Sequence, residues 1–384
     1  METEKGIVGA MRNVYIDQIN CVTPLGLDIE KSWEALLTGA SGIGLVQRMG
    51  HFADFYAATI PDNYINPPFD ALPDVEASFS RLEKMMILAL APILEGKKIS
   101  SRTGLIISTT KGNIGTLKHG DITGAQLPTS AHRIAQYFGL ETAPIIVSNA
   151  CVSGLLAVMV GRRMMLMGRY DEVYVVAGDE VTEFVVSGFN SFQAMSSQPC
   201  RPYDVGRDGV TLGEAAAALS LSLDTGSIAI LGDASINDAN HISGPSRTGE
   251  GLYQSIKGAL TEAGLTAGEV DCISAHGTAT VYNDEMESIA IERMNLSNVP
   301  VNSLKGNFGH TLGCSGLLEL VMLAKSLSNN IVLPTKGLYT IGVTGSMMLP
   351  QERSTKLLTI GIKTASGFGG SNAAMVLRKV GQHA

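Results

Sequence analysis

The chain has 384 residues, of which 45% are hydrophobic, so it can bury a large core without disulfide bonds or a structural metal. Its net charge of −8, from 28 basic and 36 acidic residues, excludes the overall basic character typical of nucleic-acid binding. Its five cysteines are scattered and form no C-x-x-C pair, which argues against a disulfide framework or a zinc site.

The N-terminal stretch METEKGIVGAMRN mixes acidic and basic residues and has no apolar segment, so we expect neither a signal peptide nor a transit peptide. The longest apolar run extends from Met85 to Leu94, roughly half of the length that a membrane-spanning helix needs. This run predicts a buried helix. We therefore expect a cytoplasmic protein that has no membrane partner.

Several segments rich in β-branched residues alternate with longer helical patterns, which is typical of an α/β fold. These segments read RTGLIIST, APIIVSNA, DEVYVVAGDE, AALSLSL and STKLLTIGIKTA. The letters SGLL occur at Ser153 to Leu156 and again at Ser315 to Leu318, each time before a helix that is apolar on nearly every side. The repeat suggests two related halves packed through these helices, although four common letters also recur by coincidence.

Cys151 follows the extended run APIIVSNA and precedes the first SGLL helix. A thiol at the positive end of a helix dipole can have its pKa lowered to roughly 3.5 to 7.5, and the thiolate is the nucleophilic form. The position therefore predicts a nucleophile. A small buried cysteine without chemical function is the alternative.

Two further stretches place polar residues in Gly-rich turns. In SAHGTATVYNDEMES, His276 lies in a loop, and Asp284 and Glu287 begin the next helix, where acidic residues ordinarily complement the helix dipole. A hydrogen-bonded loop histidine without catalytic function is an equal alternative. In NSLKGNFGHTLGCSGLLE, Lys305 and His310 precede a buried helix that contains Glu319.

A carboxylate among leucines is costly unless it is paired, so we expect Glu319 to contact Lys305. A fourth stretch, ASGFGGSNAAMVL, joins two strand-like runs through glycines that allow a backbone N–H to approach a ligand. Phe368 is the only bulky residue of that turn.

Taken in chain order, these motifs are a cysteine at a helix start, H-G-T-x-T-x-x-x-D-x-x-E, K-x-x-x-x-H-x-x-G-x-S-G and G-F-G-G-x-N. The sequence resembles the elongating β-ketoacyl-[acyl-carrier-protein] synthases, types I and II, of the thiolase superfamily. The resemblance implies an α/β thiolase fold of five αβαβα layers built from two pseudo-duplicated halves. We place the half with the nucleophile at residues 1–226 and the half with both histidines at 227–384, in one compact unit.

The resemblance also implies a decarboxylative Claisen condensation. Cys151 would carry the acyl chain, and the backbone N–H groups of Cys151 and Phe368 would form the oxyanion hole. Neutral His276 and His310 would stabilise the enolate released from malonyl carrier protein. No metal or free cofactor is implied, since the substrates are held on the phosphopantetheine of acyl carrier protein.

Other matched positions have implied supporting functions. Thr278 and Thr280 would bind the pantetheine arm, and Phe368 would gate the acyl pocket. Lys305 with Glu319 would fix the His310 loop, and Asp284 with Glu287 would brace the His276 loop. The family's two-fold dimer would pair the strand Ile145 to Ser148 with its copy. We therefore predict a homodimer, with a heterodimer as the alternative.

The chain departs from the family pattern at several places. Cys314 replaces the usual alanine and GEA replaces GEG at Gly213 to Ala215, which we interpret as packing variation. Ala279 replaces the central glycine of the threonine loop. The stretch Phe52 to Ser80 contains no Lys or Arg but holds several acidic residues, namely Asp54, Asp62, Asp70, Asp74 and Glu76. The docking cations for an acidic carrier could therefore lie elsewhere, and the candidates are Lys111, Lys118, Arg133 and Arg207.

This departure suggests a dedicated carrier and a secondary pathway, such as polyene or pigment assembly. The alternative function is a non-catalytic partner subunit that determines chain length for another synthase. Such subunits generally lose the nucleophile, and Cys151 is present. A thiolase would need a second cysteine near the C-terminal turn, and a priming synthase would have asparagine in place of His310.

Overall fold

The computed structural model describes residues 13–75, 79–239 and 247–381. Glu76 of the acidic stretch lies outside these ranges. The strands are β1 Val14–Val22, β2 Ile43–Met49, β3 Phe52–Ala58, β4 Thr103–Ser108, β5 Ile145–Val147, β6 Glu172–Asp179, β7 Leu212–Gly213, β8 Ala215–Ser222, β9 Ile228–Asn237, β10 Cys272–Ser274, β11 Val301–Asn302, β12 Ile331–Val332, β13 Ser354–Thr355, β14 Ile360–Ser366 and β15 Ser371–Lys379. The α-helices are α1 Ile29–Leu37, α2 Asp62–Asp70, α3 Arg81–Leu94, α4 Leu127–Tyr137, α5 Ser153–Leu166, α6 Glu183–Ser191, α7 Glu250–Ala263, α8 Val281–Arg293, α9 Lys305–Phe308 and α10 Ser315–Asn329.

Ten strands form one sheet in the order β11-β10-β14-β15-β9-β1-β8-β6-β4-β5. In its first half β5, β4 and β6 are parallel, and β8 and β1 follow antiparallel. In its second half β11, β10 and β14 are parallel, and β15 and β9 follow antiparallel. The two halves therefore repeat one topology and meet where β1 pairs with β9. The strand-like segments of the sequence correspond to β4, β5, β6, β8 and β14, so the α/β prediction is confirmed.

Three hydrophobic clusters hold five layers of helices and strands together. One cluster lies between the two half-sheets and contains α5 and α10. A second packs α3 and α4 on the outer face of the first half-sheet, and a third packs α7 and α8 on the outer face of the second. This is the αβαβα arrangement that the resemblance implied.

The two SGLL segments begin the central helices and touch at their glycines. A Cβ added to Gly154 would lie 2.7 Å from the carbonyl oxygen of Gly313 and 2.8 Å from the backbone nitrogen of Leu317. A Cβ added to Gly316 would lie 2.7 Å from the backbone nitrogen of Leu155. Each glycine thus lets the partner backbone approach, so the repeated letters mark the contact between the two halves.

The run Met85 to Leu94 lies within α3, whose buried face covers β1, β6 and β8. Ser80 starts this helix with a capping box, in which its side chain and that of Glu83 satisfy each other's backbone N–H groups. In the described ranges no helix combines the length and apolar character required to cross a membrane. Strand β5 lies at one edge of the ten-stranded sheet and pairs only with β4 among the described strands.

Candidate active site

Three loops bring one cysteine and two histidines together at the centre of the molecule. Cys151 follows β5, His276 follows β10 and His310 follows α9. Nε2 of His310 lies 2.9 Å from Sγ of Cys151, and the two imidazole rings stand nearly perpendicular with centroids 5.3 Å apart. Potential ligand atoms of all three side chains lie within 4.8 Å of one another, and all three residues are buried.

The turn before α5 presents Cys151 to this centre. Ala150 has a positive φ of 43°, and the hydroxyl of Ser153 donates to the carbonyl oxygen of Ala150 at 2.6 Å. The helix itself begins at Ser153, two residues after the cysteine. Burial raises the pKa of the Cys151 thiol to about 12, which outweighs the opposing charge of Lys305. The prediction of a thiol with a lowered pKa is therefore wrong, because removing the sulfur from water disfavours its anion.

His310 is placed to accept the thiol proton. Burial, with the nearby charge of Lys305, lowers the pKa of its imidazole well below the usual value, so the ring is neutral at pH 7. Its backbone bonds to the strand before β8, with its N–H donating to the carbonyl of Thr211 at 2.7 Å. Nδ1 has no hydrogen-bond partner among the described residues. Because no described residue binds Nδ1, either ring nitrogen can carry the proton of the neutral imidazole. Nε2 can therefore accept a proton in one tautomer and donate one in the other.

His276 has a defined orientation. Glu287 accepts the backbone N–H groups of His276 and Gly277 at 2.8 and 2.6 Å. Nζ of Lys305 lies 3.4 Å from Nδ1 of His276 and 2.9 Å from its carbonyl oxygen. An ammonium facing Nδ1 assigns the ring proton to Nε2. Burial, followed by the charge of Lys305, lowers the pKa of this imidazole well below its usual value.

Glu319 contacts Lys305, as the sequence predicted, at 2.5 Å between Oε1 and Nζ. Its second oxygen contacts Lys363, with Oε2 and Nζ 2.8 Å apart. Lys363 lies in the middle of β14 and was not anticipated. The sequence did contain an indication of this ion pair, because a lone lysine in the otherwise uncharged strand IGIKTAS needs a buried partner for the same reason that Glu319 does.

Asp284 and Glu287 of α8 are buried beside the threonine loop. Asp284 accepts the backbone N–H of Tyr203 at 2.7 Å and that of Ala279 at 3.2 Å. Burial and the charge of Glu287 raise the pKa of Asp284 to about 7. Above it, the hydroxyls of Thr278 and Thr280 lie 2.9 Å apart. These acids therefore hold backbone N–H groups of the loop in addition to lying in the first turns of a helix.

Phe368 lies in the hairpin between β14 and β15 and is 43% exposed. Its ring packs against Phe189 and Phe192, with centroids 6.0 and 5.8 Å away, and Phe189 also lies 6.3 Å from the ring of His310. The neighbouring Gly367 faces the nucleophile turn, since an added Cβ would lie 3.2 Å from the backbone nitrogen of Cys151. The turn that leads to Phe368 thus lies against the backbone of Cys151.

Asp179 is a second buried residue that the sequence analysis missed. It ends β6 and accepts the backbone N–H of Gly313 at 2.7 Å and that of Thr110 at 3.0 Å. It thereby ties the turn after His310 to the end of β4. Nothing in the sequence around it distinguishes this aspartate from a residue of a surface loop.

The candidate docking cations have different surroundings. Lys111 is exposed, and Lys118 forms an exposed ion pair with Glu183 at 2.5 Å. Arg133 lies over the ring of Phe79 at 4.8 Å. Arg207 is wrong as a surface cation, because its side chain is only 6% exposed and donates to backbone carbonyls such as that of Gly342.

A buried thiol hydrogen-bonded to a neutral imidazole, with a second imidazole opposite, defines a nucleophilic acyl-transfer site. Residues 11–224 match the family described as the N-terminal domain of β-ketoacyl synthase, and residues 228–338 match the family described as its C-terminal domain. The chain belongs to the β-ketoacyl synthase family, which confirms the resemblance seen in the sequence.

The relatives are similar along their whole length. The 3-oxoacyl-[acyl-carrier-protein] synthase 2 of Rhizobium meliloti is 28% identical, over 97% of this chain and 100% of its own. A putative mitochondrial 3-oxoacyl-[acyl-carrier-protein] synthase of Schizosaccharomyces pombe is 27% identical, over 96% and 99%.

Solved ketosynthases share the fold. The ketosynthase ApeO of Xenorhabdus doucetiae, determined in complex with its chain length factor ApeC, superposes with a TM-score of 0.85 at 24% identity, over 99% of this chain and 100% of its own. The ishigamide ketosynthase/chain length factor gives a TM-score of 0.87 at 22% identity, over 97% and 100%.

Proposed function

We propose that this protein catalyses the decarboxylative condensation of malonyl-acyl-carrier-protein with an acyl chain held on Cys151, in fatty acid or polyketide-type biosynthesis. The observation that carries the proposal is the 2.9 Å contact between Sγ of Cys151 and Nε2 of His310, with the ring of His276 opposite. The names of the relatives, which are 3-oxoacyl-[acyl-carrier-protein] synthases, support the same reaction.

In the first half-reaction Sγ attacks the thioester carbon of the acyl carrier, and its proton passes to Nε2 of His310. The backbone N–H groups of Cys151 and Phe368 hold the resulting oxyanion, and each such donor contributes about 2.7 to 4 kcal/mol to the transition state. The bond between the acyl carbon and the carrier sulfur then breaks. The carrier leaves as a thiol after taking the proton from His310.

In the second half-reaction malonyl carrier protein binds, and its C–C bond to the carboxylate breaks with loss of carbon dioxide. The electron pair forms an enolate, whose oxygen accepts hydrogen bonds from Nε2–H of His276 and of His310. The enolate carbon attacks the acyl-cysteine, and the C–S bond to Cys151 breaks. The leaving thiolate takes up a proton from water to restore the thiol, and the product is longer by two carbons. Neutral imidazoles suit this step because they donate an N–H without placing a permanent cation beside the substrate.

The remaining functions follow from this reaction. Thr278 and Thr280 bind the pantetheine arm, and Phe368 gates the acyl pocket by rotating against Phe189 and Phe192. The substrates arrive on phosphopantetheine, so we infer that no metal or free cofactor is used. We also infer a cytoplasmic location for this reaction.

For assembly we infer a homodimer in which the edge strand β5 and Ser148 pair with their copy, because an unpaired sheet edge is a template for another strand. A heterodimer with a second ketosynthase-like chain is the alternative. Within one chain we infer that the two halves, divided after residue 226, form a single unit, which is supported by the packing of α5 against α10 between the half-sheets.

The test is mass spectrometry of carrier-bound products after incubation with malonyl carrier protein and acyl primers of increasing length. We expect a β-keto product two carbons longer than the primer, and no product from Cys151→Ala. Cys21→Ala, which changes a buried cysteine of β1, is the matched control and should retain activity. Product formation by Cys151→Ala would exclude this nucleophile. Lack of product and of selective Cys151 alkylation in the wild type would favour the non-catalytic partner subunit.

The absence of basic residues from Phe52 to Ser80 supports a dedicated carrier in a secondary pathway. Exchange of carriers in the same assay tests this point. A housekeeping fatty-acid carrier that proved the best substrate would contradict it.

A further inference from the structure

Lys363 is a fully buried cation in the middle of β14, beside the end of β10, the strand that leads to His276. It pairs in register with Ser274, and its Nζ donates to the carbonyl oxygens of Ser274 and Ala275 at 3.1 and 3.3 Å. It also donates to the carbonyl of Thr364 and forms the 2.8 Å ion pair with Glu319. A buried ammonium persists only with such a set of acceptors.

Lys363 and Lys305 act on the same short segment. Lys363 holds the carbonyls of residues 274 and 275, and Lys305 holds the next carbonyl, that of His276. Glu319 joins the two ammonium groups, one on each carboxylate oxygen. From the other side, Glu287 accepts the N–H groups of His276 and Gly277. The segment that presents His276 is thus held by its carbonyls and its N–H groups.

The charge around His276 is also set by this cluster. The carboxylate of Glu319 contacts both ammonium groups, and the carboxylate of Glu287 accepts the backbone N–H of His276. Lys363 is among the groups that lower the pKa of His276, after burial, Lys305 and His310. The titratable groups around the ring are Lys305, Lys363, Glu319, Glu287, His310 and Cys151.

We propose that Lys363 is a positioning residue for the decarboxylation step, which fixes the His276 segment and keeps its imidazole neutral with the Nε2 proton facing the substrate. The inference rests on the proposed condensation, since it concerns the step in which His276 binds the enolate. Lys363 itself touches no substrate in this scheme. Its effect is therefore specific to decarboxylation and leaves the transfer of the acyl chain to Cys151 intact.

The test compares Lys363→Met, which removes charge and donors, with Lys363→Gln, which keeps donors without charge. We expect Lys363→Met to lower the rate of malonyl decarboxylation by about ten- to a hundred-fold, because a displaced catalytic group loses alignment. Acylation of Cys151 should stay within about twofold of the wild type. Lys363→Gln should lower the decarboxylation rate less than Lys363→Met does. If the methionine variant does not fold, Lys363→Gln is the variant that is compared with the wild type. Lys98→Met, at an exposed lysine, is the control.

A second readout does not depend on turnover. NMR titration of the His276 ring should show protonation at higher pH in both Lys363 variants than in the wild type, and no change in Lys98→Met. Unchanged titration in both variants, or an equal loss of acylation and decarboxylation, would overturn the inference. A wild type that does not decarboxylate malonyl carrier would refute the proposed condensation, while the titration would still decide whether Lys363 controls His276.

Discussion

Sγ of Cys151 and Nε2 of His310 lie 2.9 Å apart although 159 residues separate them in the chain. Because burial raises the pKa of the thiol and lowers that of the imidazole, the proton rests on sulfur and the imidazole is its acceptor. Under the proposed mechanism, activation of Cys151 therefore depends on this contact and not on a preformed thiolate.

This relationship predicts how Cys151 reacts with iodoacetamide. His310→Gln should slow alkylation of Cys151 by about a hundred-fold, since a positioned base contributes roughly 10² to 10⁴. His276→Gln should have a much smaller effect, because Nδ1 of that ring faces Lys305 and its Nε2 already carries a proton. Mass spectrometry of the Cys151 peptide measures both rates. Equal rates in the two variants would contradict the assignment of His310 as the proton acceptor.

The buried histidines predict how stability depends on pH. In the folded protein the pKa of His276 lies well below its usual value, so below about pH 6.5 the unfolded chain takes up a proton that the folded chain does not. Stability must then fall as pH falls, by up to about 1.4 kcal/mol per pH unit for this residue.

Denaturant titrations between pH 7 and 5 measure this slope. His276→Gln should show a shallower loss of stability toward acid than the wild type, and the exposed His119→Gln should not. The buried Asp284, whose pKa is raised to about 7, acts in the opposite direction but is present in every variant. A parallel pH dependence of the wild type and His276→Gln would show that His276 takes up its proton over the same pH range in the folded protein as in the unfolded chain.

The close contact between α5 and α10 predicts that a side chain added at Gly316 destabilises the protein. Gly316→Ala places a Cβ 2.7 Å from the backbone nitrogen of Leu155 and should destabilise the protein by about 1 to 3 kcal/mol. Gly188→Ala is the matched control, because this helical glycine of α6 has open space around an added Cβ and should gain stability. Thermal unfolding distinguishes them. Equal melting temperatures of the two variants would mean that α5 and α10 can move apart to accommodate the added methyl group without loss of stability.

The backbone conformation of Ala279 in the threonine loop predicts that a change to glycine there has little effect on stability. Ala279 has a φ of 64°, a left-handed conformation that costs an L-residue about 1 to 2 kcal/mol. Ala279→Gly relieves this strain but adds flexibility to the unfolded chain, so the free energy of unfolding should change by less than about 1 kcal/mol. Ala290→Gly, in the buried middle of α8, should cost about 1 kcal/mol or more. A larger loss for Ala279→Gly than for Ala290→Gly would contradict the strain.

Much of the architecture could be predicted from local patterns. The β-branched segments became β4, β5, β6, β8 and β14, and the SGLL repeat became the contact of α5 with α10. These features are readable because burial on both faces requires nearly continuous apolar sequence, and close backbone approach requires glycine. Order and spacing of the polar motifs were enough to select the family.

The chemistry of the site depended on the tertiary structure. Sequence placed Cys151 near a helix start, but only the surrounding core decides that burial raises the pKa of the thiol more than the charge of Lys305 lowers it. Sequence paired Glu319 with Lys305, but Lys363 reaches the same carboxylate from β14, 44 residues further along the chain. Arg207 looked like a surface cation and is buried against backbone carbonyls.

Residue types and their order are local properties, and by themselves they determined the fold class, the family and the identities of Cys151, His276 and His310. Protonation states, tautomers and the second partner of Glu319 depend on distances and solvent exclusion between elements far apart in the chain. Those quantities exist only once the two half-sheets close on the central helices, because a pKa responds to the charges and water around a group in space.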